Sequence, residues 1–304
     1  MKADNIKLAV FSIVVAVLAL SLGDALIKAI SADFPLWQIF VLRSALCAPV
    51  LLVALWLKYP DVGLLPTVPL WSWARSALLM SMWLVYYAAL PNVELSVAAA
   101  AYYTLPLFIT LLSSWFVGDR VGIQGWLAVC LGFVGVLMVL KPQADDFNAY
   151  ALLPLISAVC YALAMILTRT KCRDEHPLVL SLALNIVFIV AGLSATILIW
   201  AFEPSVEQAG PWRFLIAGWV SMDGKEWLAM FILAGAVLLG SVLSAIAYQS
   251  GPSALVSTFD FSYLAFAAIW GLLFFAEVPD AITAIGIVVI ALAGILAVRR
   301  PEPA

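Results

Sequence analysis

Apolar residues fill this chain in long blocks punctuated by proline, glycine and charge, and ~20 apolar residues are what a helix needs to cross a bilayer. The blocks predict ten helices. The first five cover residues 7–30, 35–57, 69–90, 93–117 and 122–140, and the second five cover 149–168, 178–202, 228–250, 253–275 and 280–298. Most connections are very short, so consecutive helices are expected to be antiparallel neighbours. The exception is 203–227, whose Trp212, Trp219 and Trp227 among acids suggest a segment lying at the membrane interface. The leading stretch has Lys2 and Lys7 before an apolar run to about Leu22, with Asp24 and Lys28 beyond it. It reads as a retained span, because a cleaved signal has an apolar core of ~7–15 residues and a small-residue cleavage site.

The pattern also repeats. Phe34-Pro35-Leu36 opening the second helix matches His176-Pro177-Leu178 opening the seventh, a register that sets Arg43 opposite Asn185. Phe116-Val117-Gly118-Asp119 after the fourth helix parallels Phe274-Phe275-Ala276-Glu277 after the ninth. The fifth and tenth helices end in Gly135…Lys141-Pro142 and Gly294…Arg300-Pro301. Two halves with an odd number of spans must lie upside down relative to one another. That predicts inverted repeats over 1–142 and 143–304, with a substrate site near the midplane between them.

Composition excludes the soluble classes. The 304 residues are 65% apolar and 11% charged, against roughly 45–50% and 25% in soluble domains. A net charge of −3 gives no grounds for nucleic-acid binding. Cys47, Cys130, Cys160 and Cys172 are too scattered for a disulfide framework or a metal site. Basic residues are retained on the cytoplasmic side of a membrane. If the N-terminus is cytoplasmic, that side holds Lys2, Lys7, Lys58, Arg120, Arg169, Lys171, Arg173, Arg299 and Arg300, and the other only Lys141, Arg213 and Lys225. Both termini are therefore expected on the cytoplasmic side.

An ionisable side chain in the bilayer costs ~2.5–3.5 kcal/mol on insertion scales, so each is a candidate for function. Asp24 and Lys28 lie four apart on the first helix and either pair with each other or serve a substrate. Arg43 lies too deep in the second helix to reach water easily; it either binds a substrate carboxylate through two hydrogen bonds or locks onto Asp24 or a helix-end carbonyl. Arg75 in the third helix is an anchor or a ligand. Asp260, in the apolar ninth helix, has no basic neighbour at i±3 or i±4, so its partner comes from another helix, water or a ligand. It is the candidate for proton coupling or for binding a substrate ammonium, with a fixed salt bridge to Arg75 or Arg43 as the bland alternative.

Aromatics gather around these charges. Trp83, Tyr86 and Tyr87 fall in the third helix and Tyr102 and Tyr103 in the fourth. Phe259, Tyr263, Phe266 and Trp270 make one helical stripe in the ninth, a pattern more often of packing than of binding. Mid-membrane phenols need partners and aromatic faces attract cations, so Trp83, Tyr86, Tyr102, Tyr103 and Tyr263 are taken as candidate substrate contacts. Pro106 in the fourth helix is expected to kink it. Gly125, Gly132 and Gly135, against Ala284, Ala291 and Gly294, read as close helix packing.

An intramembrane enzyme is disfavoured, since the single His176 falls in a loop and no Ser–His or His–metal constellation can form within the membrane. The loop cluster Asp174-Glu175-His176 reads as solvated, and no metal or cofactor is expected. Nor does anything resemble a selectivity filter.

Arg75-Ser76-Ala77, Tyr103-Thr104-Leu105-Pro106-Leu107-Phe108, Gly118-Asp119-Arg120, Gly132-Phe133-Val134-Gly135-Val136 through Lys141-Pro142, and Phe275-Ala276-Glu277-Val278-Pro279 occur in order along the chain. Together they resemble the EamA branch of the drug/metabolite transporter superfamily, over essentially the whole sequence. The chain is most similar to its ten-helix bacterial carriers, which include amino-acid exporters and S-adenosylmethionine uptake carriers. Asp119 stands where the family commonly has Glu. The resemblance implies an all-α integral membrane protein of two inverted five-helix repeats and a transport function, without naming the cargo. Arginines beside the acids favour an amino acid or amino-acid derivative, a zwitterion, over an organic cation, quaternary amine or drug. Alternating access around a central site is the expected mechanism, with a proton as the candidate coupling ion.

Overall fold

Proline and polar caps start several of the helices. Pro35 and Pro252 sit just before a first turn and Pro69 and Pro177 within one, where a missing N–H costs nothing. Asp223 and Glu226 form a reciprocal capping box. The computed structural model describes residues 4–30, 34–89, 101–118, 121–140, 150, 152–202, 213–275 and 281–298. Its spans are α1 Ile6–Ile30, α2 Leu36–Lys58, α3 Pro69–Ala89, α4 Leu105–Leu112 continued by a π-helical turn Ser113–Val117, and α5 Ile123–Leu140. The second set is α6 Leu152–Thr170, α7 Pro177–Phe202, α8 Gly224–Ser250, α9 in two pieces, Ser253–Asp260 and Ser262–Phe275, and α10 Ala281–Val298. Every described residue in regular structure is helical. Gly118 ends the fourth span in the left-handed conformation, φ 75°, which glycine adopts without penalty.

Six of these helices are long and apolar enough to cross a membrane, and the Leu105–Val117, Ile123–Met138 and Ala281–Ala293 stretches are shorter apolar helices. Large apolar side chains point outward along them, including Trp56, Trp115 and Trp200 near the span ends. In hydrocarbon every backbone polar group must be satisfied internally, and the helix does this within one segment. The chain is a multi-pass membrane protein. At 21 residues α3 is long enough to span but too polar to count among the six, because it carries Ser72, Arg75, Ser76 and two tyrosines.

The principal contacts are α1 with α8 and α9, α2 with α7 and α8, α3 with α6 and α7, α4 with α6 and α9, and α5 with α10. Exchanging each helix for the one five further on returns this set, although α7 also packs on α8 and α9 on α10 within the second half. Lipid is as apolar as leucine, so helix association needs close backbone approach. Three of the four most extensive pairings have a glycine notch. A Cβ at Gly240 of α8 would lie 2.6 Å from Leu20 of α1, one at Gly192 of α7 2.5 Å from Val41 of α2, and one at Gly135 of α5 2.8 Å from the Gly286 carbonyl oxygen of α10. Gly132 receives the ring of Phe261, while Gly125 meets only Val121 just before its own helix.

Three expectations change. Consecutive helices are not the main neighbours among the described residues, because the principal contacts join helices of opposite halves. Pro106 does not kink a continuous helix. The fourth span is already interrupted by a turn at Tyr103–Thr104, and Pro106 lies in the first turn of α4, where it removes no needed hydrogen bond. The stretch after residue 212 does not simply lie at the interface. Arg213–Ile216 forms one helical turn, and the chain folds back onto the bundle, accepting a hydrogen bond from Trp37 Nε1 at the Leu215 carbonyl, 2.8 Å, and exchanging two with the Gln38 side chain at Val220. Trp212, Asp119, Arg120, Lys141, Glu277 and the terminal arginines fall outside the described residues.

The face holding the residues before α1 is tied shut. Asp4 accepts paired hydrogen bonds from Arg169, 2.8 Å each, and a third from Arg173, 2.5 Å. Asn5 N–H donates to the Ser250 carbonyl. Glu175 accepts from Thr67 Oγ1 and Val68 N–H, and Gln249 donates to the Cys172 and Glu175 carbonyls. Asp4, Thr67 and Val68 come from the first half; their partners come from the second.

Candidate functional site

A cavity of about 440 Å³ opens between α1, α3, α4, α6, α7, α8 and α9. Its wall brings together Asp24, Arg75, Trp83, Tyr86, Tyr102, Tyr103, Asp260 and Tyr263, all picked out from the sequence. Residues as far apart as Asp24 and Tyr263 meet here because α1 packs on α9. Arg43 is not on the wall.

The two acids are held by phenols. Asp260 ends the first piece of α9, just before helix is interrupted at Phe261. Tyr248 donates to its Oδ2 at 2.5 Å and Tyr161 to its Oδ1 at 3.5 Å. No salt bridge to Arg75 or Arg43 forms. Asp24 accepts a hydrogen bond from Tyr263; the Lys28 side chain, its expected partner, lies outside the described residues. The neighbouring Trp270 donates to Ser21 Oγ at 3.0 Å, so the aromatic stripe of α9 packs on α1.

Arg75 is fully buried, with Nε donating to Thr168 Oγ1 at 2.6 Å and Nη1 lacking a partner. An unsatisfied guanidinium N–H leaves room for one more acceptor. Trp83, Tyr86, Tyr102 and Tyr103 form an aromatic run, with Tyr86 and Tyr102 rings 5.1 Å apart and Tyr103 and Tyr263 rings 5.4 Å apart. Tyr161, Tyr248 and Thr168, which directly hold the charges, were not singled out in the sequence. For the two tyrosines the signal was the one given to other tyrosines, a phenol inside an apolar span; Thr168 carried no such signal.

The helix interruptions coincide. In the register that aligns Phe116-Val117-Gly118 with Phe274-Phe275-Ala276, Tyr103 stands opposite Phe261 and Tyr102 opposite Asp260. Non-helical backbone is tolerated at membrane depth only where it is buried in protein or lines a cavity. Here Tyr103 and Phe261 pack in one cluster beside the cavity.

A helical bundle of this kind, with a polar and aromatic chamber between its helices, suits a membrane carrier of small molecules. Residues 7–141 match the EamA-like transporter family. Over 99% of this chain and 100% of its own length, a pseudopaline exporter of Pseudomonas aeruginosa is 28% identical. A riboflavin transporter of Rhizobium johnstonii is 29% identical over 74% of this chain and 68% of its own length, and an S-adenosylmethionine uptake transporter of Rickettsia felis 24% identical over 64% of this chain and 59% of its own length. A solved crystal structure superposes with a TM-score of 0.76 over 96% of this chain and 95% of that one, at 20% identity, which speaks for the fold. The first part of the chain thus matches the EamA-like transporter family, and named transporters are similar to it along its length. The protein is a small-metabolite transporter rather than an enzyme.

Proposed function

We propose that the protein carries a zwitterionic metabolite, an amino acid or amino-acid derivative, by alternating access around the central cavity. The observation that carries this is the joint presence on one wall of Arg75, with an unused N–H, and of the carboxylates Asp24 and Asp260 among aromatic rings. The guanidinium suits a substrate carboxylate; the acids and ring faces suit its ammonium. The two five-helix repeats, 1–142 and 143–304, rock against each other, and both termini face the cytoplasm. Uptake or counterflow in proteoliposomes tests this: flux of a zwitterionic amino acid or amino-acid derivative is expected. Folded protein that moves none of them would overturn the proposal.

In this reading the Asp4–Arg169–Arg173 network is the closed cytoplasmic gate. Asp4→Asn removes the charge that both arginines share, so the gate is expected to open more often. Cys172 is fully buried within this face and serves as reporter. In a protein retaining Cys172 alone, Asp4→Asn should speed its labelling by an impermeant maleimide several-fold. An unchanged rate would mean that the network does not gate.

A further inference from the structure

Arg43 is fully buried on α2, yet among the described residues no carboxylate lies within ion-pair distance, and its Nε and Nη2 have no hydrogen-bond partner. The guanidinium carbon sits 4.7 Å from the Phe40 ring centroid, 4.5 Å from Phe188 and 5.9 Å from Trp83. Ring faces stabilise the cation but accept none of its N–H bonds in the plane of the fork. Other groups nearby are equally unsatisfied. Ser44 Oγ on the same helix and Tyr87 OH have no partner, and the Tyr87 ring lies 5.3 Å from Trp83 and 6.4 Å from Phe40. On α7, one turn from Phe188, Asn185 keeps only its Oδ1 unpaired, because Nδ2 donates to the Ser181 carbonyl. Donors exceed acceptors in this cluster, and a buried cation without a counter-ion is costly.

Trp83 and Phe188 touch the guanidinium and also line the central cavity. The cluster is therefore one aromatic layer behind the substrate chamber. We infer that Arg43, with Tyr87, forms a second anion subsite of that chamber, which takes a distal carboxylate of the substrate when the Trp83–Phe188 partition moves. The inference rests on the zwitterion reading and narrows it to amino acids bearing a second carboxylate. Arg75 then holds one carboxylate, Arg43 the other.

L-glutamate and L-glutamine are nearly isosteric and differ in the distal charge, so they probe the subsite directly on the full-length protein in nanodiscs. Wild type is expected to bind glutamate about 10-fold more tightly than glutamine, the scale of one charge-assisted hydrogen bond. Arg43→Gln should bring the ratio to about 1, and Arg43→Lys, which keeps the charge but not the fork, should leave it in between. A merely structural Arg43 would weaken both ligands together and leave the ratio unchanged. Equal binding of the two by wild type, or binding of neither, overturns the subsite; the zwitterion reading fails only if the proteoliposomes move no amino acid or amino-acid derivative.

Discussion

Asp260→Asn is expected to weaken substrate binding by about 10- to 100-fold and to remove any pH dependence of transport, in protein that still folds. Asparagine has the same shape, and its Oδ1 accepts the Tyr248 hydrogen bond that now reaches Asp260 at 2.5 Å. The amide nitrogen meets the Tyr161 oxygen, 3.5 Å from the present Oδ1, and a phenol oxygen accepts as well as donates. Local packing therefore has no reason to fail. The variant loses the negative charge and the ability to exchange a proton. A charge-assisted hydrogen bond contributes about 1.5–3 kcal/mol, which sets the expected range. Ligand binding in nanodiscs and uptake as a function of pH check this. Normal, pH-dependent transport by the variant would remove Asp260 from the mechanism.

Gly135→Leu is expected to have the largest effect on stability. Even a Cβ there would lie 2.8 Å from the Gly286 carbonyl oxygen and 3.2 Å from the Ile290 backbone nitrogen. Backbone cannot swing aside as a side chain does, so α5 and α10 must separate along their length. Overpacking of this kind costs about 1–3 kcal/mol. Gly125→Leu in the same helix is the control, because the nearest atom to its Cβ belongs to a side chain and not to backbone, Val121 at 3.0 Å, on a residue before the helix. Thermal unfolding in detergent should show Gly135→Leu melting well below both wild type and Gly125→Leu. Equal melting of the two variants would show that the α5–α10 contact is looser than described.

Much of the fold was legible in the sequence. Expected and observed spans agree to within a few residues wherever the chain is described. At α8 the start falls at Gly224 rather than 228, because Asp223 and Glu226 cap it. The π turn Ser113–Val117 was not legible, since periodicity does not register one added residue per turn. Pro106 misled for a related reason. A proline inside an apolar block reads as a kink, but the turn at Tyr103–Thr104 moved the helix start next to it.

The site was legible by residue type and illegible by partner. Intramembrane cost picked out Asp24, Arg43, Arg75 and Asp260, and the sequence offered the pairs Asp24–Lys28 and Arg43–Asp24. Among the described residues the Arg43–Asp24 pair does not form: the phenols of Tyr263 and Tyr248 hold the acids, while Phe40 and Phe188 flank Arg43.

The sequence by itself determined the apolar helical segments, where most of them begin and which few charges stay inside. A hydrocarbon solvent imposes one rule on every segment, internal satisfaction of the backbone, and that rule is written in local composition. The tertiary structure alone decided which acid meets which phenol, that three glycines set the main helix contacts, and that Arg43 stands behind the chamber and not on its wall. Those outcomes depend on the rotation and approach of helices distant in sequence, and no local pattern fixes either.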